Sequence, residues 1–497
     1  MGNAFDDSKP VTPWLIVPRE YRPPAKQEDA GVKLQDHELT TEYGNAQRFV
    51  HQHGSKVRYC HSEKQWYIWT GRIWQPDTEN QVEILAMNTA KSIFTEASSI
   101  NDAVARAKLV KWSQSSMSEA KVKKMLKLSA SLLPVKVDQF DADKWKISAL
   151  NGRVDLVTGE LLPHNQEAFA TKMCNAQYVP DAECPIWDKF MDRIFDGNKA
   201  LIRYVQKMVG YMLTGAVTEK CFFILHGEKG DNGKTVFINT LMEVFDDYAM
   251  QTPIDTLLRR KAGSQSNDIV RLNKARFVSS AEANKQCYFD EALVKRLTGD
   301  DPVTARLLFK EHITFKPECK IVIATNRVPR FDRADTAFNN RVRIVPFNVS
   351  IPVEEQDRNL KDKLMLEADG ILAWAVRGCL LWQEEGLGLV PVAEEPHVEV
   401  RPDSSVDNFV HTRCVRGDSY YTKTQDLHEA YLAYHAEVND GTDPIGIAAL
   451  GVKLGELGFL WAHGRDGNGR AGIALRSSVD SADSSGDKEV VPLSEDE

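Results

Sequence analysis

Apolar residues recur at helical spacing in one part of the chain and at strand spacing in another. Between residues 80 and 136, the stretches QVEILAMNTAKSIFTEA and SEAKVKKMLKLSASL repeat apolar residues every three or four positions, which predicts helices. Just before them, HSEKQWYIWTGRIWQPD alternates around Thr70-Gly71 and predicts a hairpin. Its indoles could stack on nucleotide bases, but packed hairpin aromatics are commoner, so we favour a core role for Trp66, Trp69 and Trp74.

The middle of the chain mixes both periods. Residues 147–164 predict two strands joined by an Asp-Leu-x-Thr-Gly turn, and residues 186–214 predict a helical span that ends at Gly215. Strand and helix patterns then alternate to about residue 385. This alternation indicates a multidomain α/β protein.

The last patterned segment predicts two helices and a hairpin, the order of a winged helix-turn-helix. TKTQDLHEAYLAYHAEV (422–438) begins with a Thr-x-x-Gln capping box, and its apolar residues share one face: Leu427, Tyr431, Tyr434 and Val438. A second helix is expected at 446–457 and a Gly-tipped hairpin at 459–475. A small packing domain without a ligand is nearly as good an interpretation, because the candidate DNA contacts are few: Lys453, Arg465 and Arg470.

The length of the chain requires several domains. At 497 residues it exceeds what one hydrophobic core supports. We predict a flexible arm at 1–40, an α-rich N-terminal domain at 41–194, an α/β domain at 195–385, a winged helix at 400–476 and an acidic disordered tail at 477–497.

Charge is distributed unevenly along the sequence. The formal net charge of -9 argues at first against a nucleic-acid partner. The tail at 477–497, however, holds seven acids against one Lys, so most of the negative charge lies there. Residues 303–343 carry nine Lys or Arg against four Asp or Glu, and we expect phosphate contacts in that segment.

Membrane and metal signals are weak. The sequence lacks an apolar run of about eighteen residues and the pattern of a signal peptide, so we expect a cytoplasmic protein, in a bacterial host, with no membrane partner. The eight cysteines lie mostly in apolar stretches without a C-x-x-C pair. That favours buried reduced thiols over zinc or disulfides.

The stretch CFFILHGEKGDNGKT (221–235) predicts a phosphate-binding loop. A buried strand leads into a Gly-rich loop and then an apolar helix, so backbone N–H groups and a helix N-terminus would bind the phosphates of ATP. The consensus wants Gly where this chain has Glu228, and a surface turn is the less favoured alternative. We assign the Mg²⁺ contact to the Thr235 hydroxyl and the nucleotide contacts to Gly227, Gly230, Asp231, Asn232, Gly233, Lys234 and Thr235.

Further motifs separate the classes of nucleotide hydrolase. Neither Asn-Lys pair is followed by the Asp that GTPases use to read guanine. In ARFVSSAEAN, Glu282 follows a strand and is a candidate general base and Mg²⁺ ligand, with a solvated loop carboxylate as the alternative. KIVIATN ends in Asn326, which could sense the γ-phosphate. NNRVRIVPF places Arg341 and Arg343 on one face of a strand, where they could act as arginine fingers across a subunit boundary.

These residues carry a family resemblance. The motifs HGEKGDNGKT, RFVSSAEAN, DEALVKRLTGDDPVTARLLFKEHITFKP, KIVIATNRVPR and NRVRIVPF resemble the successive motifs of superfamily 3 helicases, in the phage and plasmid primase-helicase branch that includes the poxvirus enzyme. The resemblance runs from about residue 42 to about residue 475. It departs at Glu228, at Ala281, which leaves one acid in the second motif, and at Asn340, where the family often has Arg. We weight Arg341 above Arg343 as the finger.

The resemblance implies an AAA+ related ATPase that uses ATP and Mg²⁺, assembles as a homo-hexameric ring and translocates 3′ to 5′ on single-stranded DNA or at a fork. It also implies that Lys310 and His312, at a hairpin tip, hold DNA in the central channel; an ordinary charged turn is the alternative. Family members often carry a primase domain ahead of the helical one. We expect a separate primase, or other replisome proteins, to act with this chain.

The function expected from the sequence is an ATP-dependent replicative DNA helicase of a phage, prophage or plasmid. Two alternatives stay open: an origin-binding initiator whose ATPase only controls assembly, and an idle sensor or defence ATPase that retains the ring architecture.

Overall fold

The computed structural model describes residues 39–227, 230–259, 268–281, 288–306, 312–326, 328–329, 331, 335–391, 405–438, 444–464 and 467–476. The acidic tail and most of the predicted arm lie outside these ranges. The chain divides into two compact units, one of residues 1–68 and 76–135, the other of residues 69–75 and 136–497.

The first unit is mainly helical. Its strands β1 and β2 pair antiparallel, and β1 pairs parallel with β4. Phe49, Val57, Val82 and Met125 form the centre of its core. The helices predicted within residues 80–136 are confirmed. The elements through residue 135 are α1 (Glu42–His53), β1 (Val57–Cys60), β2 (Gln65–Trp69), β3 (Trp74–Pro76), α2 (Gln81–Ser98), α3 (Ala103–Ser116), α4 (Glu119–Leu132) and β4 (Pro134–Val135).

The predicted turn at Thr70-Gly71 is confirmed. The backbone N–H of Thr70 donates to the carbonyl oxygen of Ile73 at 3.0 Å, and Gly71 has a φ of +94° that a side chain would disfavour. Trp74 is fully buried, and its Nε1 donates to the carbonyl oxygen of Gln166 at 2.8 Å. Its predicted core role is therefore confirmed, because a buried indole is not available to a base.

The segment that precedes the central sheet differs from the prediction in two places. Residues 147–164 contain three strands rather than two, because the chain also turns between β5 and β6. The span 186–214 is two helices rather than one: Asp196 and Gly197 have positive φ, and the Asn198 side chain caps the second helix by accepting from the N–H of Leu201 at 3.1 Å. The elements are β5 (Lys146–Ala149), β6 (Gly152–Asp155), β7 (Leu161–Leu162), α5 (Pro185–Ile194) and α6 (Lys199–Leu213).

A five-stranded, fully parallel sheet forms the centre of the second unit, in the order β14-β8-β13-β10-β9. Alternate strand residues face two separate cores: Phe223 and Val322 belong to one, and Ile224 and Ile323 to the other. The elements are β8 (Phe222–His226), α7 (Lys234–Phe245), β9 (Ala249–Pro253), α8 (Asp268–Arg271), β10 (Phe277–Ala281), α9 (Glu291–Leu297), β11 (Val303–Arg306), β12 (His312–Phe315), β13 (Lys320–Thr325), α10 (Thr336–Asn339), β14 (Val342–Pro346), α11 (Leu360–Met365) and α12 (Ala368–Glu385).

Residues 136–194, which the sequence assigns to the N-terminal domain, lie in this second unit. Trp187 of α5 stacks on Phe237 of α7 with ring centroids 5.7 Å apart. The Tyr248 hydroxyl accepts from the backbone N–H of Ser148 at 3.0 Å. These residues therefore help to support the helix that follows the predicted phosphate loop.

Two buried cations hold the amino ends of strands β10 and β13. Arg276 donates to the carbonyl oxygens of Leu213 at 2.6 Å and Asp143 at 2.9 Å. Lys320 donates to the carbonyl oxygens of Thr214, Ala216 and Glu318. Burial lowers the pKa of Lys320 to about 7. Lys320 is one of the nine cations of segment 303–343, and its burial removes it from the set that could contact DNA.

The C-terminal module has the order helix, strand, helix, helix, strand, strand. Its elements are α13 (Ser405–Arg413), β15 (Cys414–Lys423), α14 (Thr424–Val438), α15 (Ile447–Glu456), β16 (Trp461–Gly464) and β17 (Gly467–Leu475), with the sheet order β15-β17-β16. The predicted second helix and hairpin are confirmed, as is the buried face of α14 that carries Leu427, Tyr431 and Tyr434.

The predicted capping box is wrong. Thr422 lies in β15, and its hydroxyl donates to the carbonyl oxygen of Ile473 in β17 at 2.8 Å, while α14 begins two residues later at Thr424. Thr422 cannot act as the helix cap because it is part of the sheet, where it pairs with Arg470.

The cysteines of the described ranges agree with the prediction of buried reduced thiols. Seven cysteines are buried and free, as predicted, and Cys287 lies outside those ranges. None of the described helices combines the length and the apolar character that crossing a bilayer requires.

Candidate nucleotide-binding site

Strand β8 lies at the point where the strand order of the sheet changes direction. Its neighbours are β13 on one side and β14 on the other, although the next two strands of this sheet in the sequence after β8 are β9 and β10. In open parallel sheets, ligands bind beyond the carboxyl ends of the strands at such a switch point. The loop at 227–233 begins directly after β8 and therefore occupies that position.

Two glycines of the loop are required by its geometry. Gly233 precedes α7 with a φ of +80°, and a Cβ there would lie 2.6 Å from Cγ2 of Ile194. A Cβ on Gly227 would lie 2.4 Å from the carbonyl oxygen of Phe347. At Gly230, by contrast, no heavy atom of the described residues lies within 4 Å of an added Cβ. The departure from the consensus at Glu228 lies outside the described residues.

The segment after β14 holds the loop in place. The backbone N–H of Phe347 donates to the carbonyl oxygen of His226 at 2.6 Å, and that of Ile351 donates to the carbonyl oxygen of Asp231 at 2.8 Å. The Ser350 hydroxyl donates to the carbonyl oxygen of Gly230 at 3.3 Å. The apolar pattern at 347–351 does not predict this role. These residues could be identified only because they follow β14, the strand that pairs with β8.

Lys234 is the first residue of α7 and is buried, with 7% of its surface exposed. Its Nζ donates to Oδ1 of Asn326 at 2.7 Å and contacts the carbonyl oxygen of Gly227 at 3.3 Å. Asn326 directly follows β13, the neighbour of β8. The structure therefore brings together two predicted site residues that are 92 positions apart in the sequence.

Thr235 lines a groove of about 480 Å³ between α7 and the sheet. Asn239 and Met242 of α7 form one wall, and Ser279 and Ala324 lie on the strands below. The far end of the groove carries an ion pair between Lys361 and Glu243, with Nζ and Oε2 2.8 Å apart. The small side chains on the strands leave this space open beside the predicted Mg²⁺ ligand.

Glu282 lies outside the described residues, but the strand that leads to it is placed. Strand β10 ends at Ala281, which pairs with Ala324 of β13, two residues before Asn326. The chain therefore reaches residue 281 at the same carboxyl edge of the sheet as Asn326. Within the described ranges, no cluster of three or more His, Cys, Asp or Glu could hold a metal ion.

Arg341 and Arg343 lie at the edge strand β14, on the opposite side of β8 from β13. Arg341 immediately precedes the strand, and its Nη1 donates to the carbonyl oxygen of Ala337 at 2.5 Å. Nη1 of Arg343 donates to the carbonyl oxygen of Asn340 at 2.8 Å. Both guanidinium groups are half-buried and each retains a buried Nε that lacks a hydrogen-bond partner among the described residues. Neither group donates to the described part of the loop.

The predicted DNA hairpin is present as strands β11 and β12, which pair antiparallel from Val303 with Phe315 to Arg306 with His312. Lys310 and the rest of the tip lie outside the described residues, as does the side chain of His312. The structure therefore places the base of this hairpin and leaves the two residues as predictions.

Comparisons with known proteins identify two regions of similarity. Residues 46–196 match the family described as D5 N terminal like, and residues 225–341 match a family of unknown function. The chain is 26% identical over 215 residues to the putative helicase L207/L206 of Acanthamoeba polyphaga mimivirus, which covers 42% of this chain and 22% of the relative.

Two further viral proteins match shorter or similar regions. The putative helicase 022R of Frog virus 3 (isolate Goorha) is 34% identical over 124 residues, or 24% of this chain and 13% of the relative. The putative helicase 184R of Invertebrate iridescent virus 6 is 27% identical over 256 residues, or 47% of this chain and 26% of the relative. In each of these three alignments, the matched region spans about a quarter or less of the relative.

Among solved structures, the A form apo structure of the NrS-1 C terminal region (305–718) aligns with 88% of this chain and 100% of that chain. The sequence identity is 9% and the TM-score is 0.44.

Proposed function

We propose that the chain is an ATP-dependent DNA helicase that works as a ring of six copies. The observation that carries this proposal is the contact between Nζ of Lys234 and Oδ1 of Asn326 at 2.7 Å, at the switch point of a parallel sheet. It places a buried cation and a polar amide at the end of a Gly-containing loop, where backbone N–H groups at a helix N-terminus favour an anion.

The residues of the loop suit a triphosphate. Lys234 would exchange its bond to Asn326 for one to the β- and γ-phosphates, and the released amide would orient the attacking water. The Thr235 hydroxyl, with Glu282 as the expected carboxylate, would hold Mg²⁺, which supplies charge neutralisation at the phosphates when bound. The close approach of Phe347 to Gly227 fixes the entrance of the loop, so that little reorganisation is needed on binding.

The connections of the fold support a motor of the AAA+ kind. In chain order the sheet strands are β8, β9, β10, β13 and β14, and the first of them lies between the fourth and the fifth. This arrangement brings the loop after β8, the end of β10 and the end of β13 to one edge. The C-terminal module has an order of elements that suits a winged helix.

Assembly is inferred from the two arginines. Among the described residues, Arg341 and Arg343 donate to nearby carbonyl groups, and neither donates to the described part of the phosphate loop. We assign them to the nucleotide of a neighbouring subunit, with Arg341 preferred. Hydrolysis would then depend on ring formation.

DNA would contact the β11–β12 hairpin. The pairing of Arg306 with His312 sets the base of the hairpin, and Lys310 and His312 follow as the expected channel residues. The names of the three viral relatives, all putative helicases, support unwinding as the activity. The match of residues 46–196 to the D5 N terminal like family supports a role in replication.

An origin-reading initiator receives less support from the geometry. Within the described part of the C-terminal module, six Lys or Arg are balanced by six Asp or Glu. Arg413 pairs with Glu437, and Lys453 pairs with Glu456 at 2.7 Å. A winged helix with so little free positive charge is a poor reader of a DNA duplex.

The test is nucleotide turnover and strand displacement by the full chain. Lys234→Ala should abolish both, because it removes the cation that would bind the phosphates. Lys189→Ala, which removes an exposed lysine of α5, is the matched control and should behave like the wild type. Turnover by the wild type without strand displacement would support the initiator alternative. Absence of turnover would support the idle ATPase.

A further inference from the structure

The helices α3 and α4 of the first unit concentrate positive charge. Between Ala103 and Leu132 they and their connection carry seven basic residues and one acid, Glu119; the basic residues are Arg106, Lys108, Lys111, Lys121, Lys123, Lys124 and Lys127. We call these seven the basic surface. The whole chain, by contrast, has a formal net charge of -9. This pair of helices therefore carries a local excess of positive charge in a chain whose net charge is negative.

Three lysines of the basic surface form no ion pair with the described residues. Lys108, Lys111 and Lys127 are exposed, and no carboxylate of the described residues lies within ion-pair distance of them. Lys123 pairs with Glu119, and Lys124 lies 3.6 Å from Glu42. Lys108 and Lys111 are three positions apart on α3, as are Lys124 and Lys127 on α4, so each pair lies on one face of its helix. Like charges at this spacing repel one another, which costs stability unless an anion binds.

The chemistry of the surface favours phosphates over bases. Trp112 is the one aromatic residue of α3 and α4, and the Lys121 ammonium lies over its ring at 3.5 Å from the centroid. Its Nε1 donates to Oδ1 of Asn45 at 2.9 Å. The indole is thus occupied on one face and at its polar edge, and these helices offer no stacking platform of the kind that binds single strands.

The size of the surface also suits a duplex. Each helix has 14 residues, which gives a length of about 21 Å. Over that length, double-stranded DNA presents about one negative charge per 1.7 Å of axis, far more than a single extended strand. Lysine is suited to such contacts because it binds phosphate as a flexible point charge without reading sequence.

We infer that the basic surface of α3 and α4 binds the phosphate backbone of duplex DNA without sequence preference. Its identification with DNA rests on the proposed helicase function, but the binding does not require nucleotide hydrolysis. It is also separate from the β11–β12 hairpin, which lies in the other unit. The duplex ahead of the unwound strand is the DNA that such a surface would hold.

The experiment measures binding of a labelled duplex to the full chain, without nucleotide, over a series of NaCl concentrations. The variant is the triple Lys108→Gln, Lys111→Gln, Lys127→Gln. The control triple is Lys56→Gln, Lys64→Gln, Lys189→Gln, which removes the same charge from other exposed positions. The slope of log K against log salt should fall in magnitude by about 2 to 3 in the variant, because each lost phosphate contact removes about 0.9.

The control triple should keep the wild-type slope. Equal changes in both triples would overturn the inference, since they would reflect net charge alone. An equal loss of affinity for a single strand of the same length would contradict the assignment to duplex DNA. Melting temperatures verify that both triples fold. Nucleotide hydrolysis without DNA should remain at the wild-type rate in the variant; if the wild type has none, the helicase proposal fails while the salt slope still decides the inference.

Discussion

Nζ of Lys234 donates to Oδ1 of Asn326 at 2.7 Å, which connects the start of α7 to the end of β13. The Lys234 ammonium therefore already has a hydrogen-bond acceptor, the Asn326 side-chain oxygen, at the position where a phosphate would bind. Asn326 therefore has two expected roles. It positions Lys234 before nucleotide binds, and it orients the attacking water once a phosphate has replaced Asn326 as the acceptor for Lys234.

Asn326→Ala should lower kcat for ATP hydrolysis by about 10²-fold, the usual effect of removing one preorganised polar group from an active site. The affinity for ATP should change little, since Lys234 remains. Asn326→Asp should instead weaken ATP binding, because a carboxylate holds the ammonium more strongly and repels the phosphates. Steady-state kinetics and a nucleotide-binding titration measure the two effects. Asn88→Ala, on the exposed face of α2, is the control. Loss of binding in Asn326→Ala and no loss in Asn326→Asp would contradict this account.

Gly233 and Gly230 form a matched pair in the loop. Gly233→Ala should destabilise the loop by about 1–3 kcal/mol, because the φ of +80° disfavours a side chain and the new methyl would lie 2.6 Å from Cγ2 of Ile194. Gly230→Ala should be tolerated, since no heavy atom of the described residues lies within 4 Å of the added Cβ. Nucleotide affinity and melting temperature report the difference. Similar losses in the two variants would show that the loop geometry described above is not the one that binds nucleotide.

Arg341 is tested by mixing inactive subunits. Arg341→Ala and Lys234→Ala should each abolish ATP hydrolysis when alone. A mixture of the two should regain part of the activity, because some interfaces combine an intact loop from one subunit with an intact arginine from its neighbour. Turnover rates of mixtures at several ratios provide the measurement. Arg343→Ala, treated in the same way, identifies which of the two arginines acts. If no mixture regains activity, the arginines do not act across a subunit boundary.

Lys320 predicts a dependence of stability on pH. Burial lowers its pKa from 10.5 to about 7, so between these values the unfolded chain binds more protons than the folded one. Stability should therefore rise with pH across this window, by at most about 1.4 kcal/mol per pH unit from this group. Below about pH 7 both states are protonated and the contribution to the slope disappears.

Lys320→Met removes the titrating group and serves as the reference for that prediction. The melting temperature of the wild type, minus that of the variant, should increase as the pH is raised from about 7 to about 10. If the melting temperatures of the wild type and the variant depend on pH in the same way, Lys320 stays charged in the folded protein. Its three carbonyl acceptors would then offset the cost of burying the charge.

The sequence could predict those parts of the structure that depend on short-range patterns. The strand before Gly227, the helix after Gly233 and the strand that ends before Asn326 follow from apolar runs bounded by Gly and polar residues. From the sequence, Lys234 and Asn326 could be placed at the same edge of the sheet, but their contact could not be predicted. That contact depends on the order of the strands and not on the local sequence around either residue. No sequence pattern predicts that Phe347 and Ile351 hydrogen-bond to the segment around the loop.

The errors also have physical causes. Thr422 has the spacing of a capping residue, but its hydroxyl is taken by the carbonyl oxygen of Ile473 across the sheet. The break between α5 and α6 arises because Asp196 and Gly197 adopt positive φ, which the apolar periodicity on both sides concealed. Charge in the sequence does not by itself identify an accessible cation: Lys320 of segment 303–343 is buried, whereas Lys108 and Lys111 of α3 are exposed.

The buried bonds from Arg276 and Lys320 to the end of α6 give the site a direct mechanical connection. The hydrogen bond from the Arg276 guanidinium to the carbonyl oxygen of Leu213, the last residue of α6, contributes about 1.5–3 kcal/mol. Lys320 donates to the carbonyl oxygens of Thr214 and Ala216 just after that helix, so we expect β10 and β13 to shift together with α6. A rotation of α6 would be transmitted along both strands to their opposite ends, where Asn326 contacts Lys234. In the proposed ATPase, force applied upstream of the sheet would in this way alter the distance between Lys234 and Asn326, with no change in the loop itself.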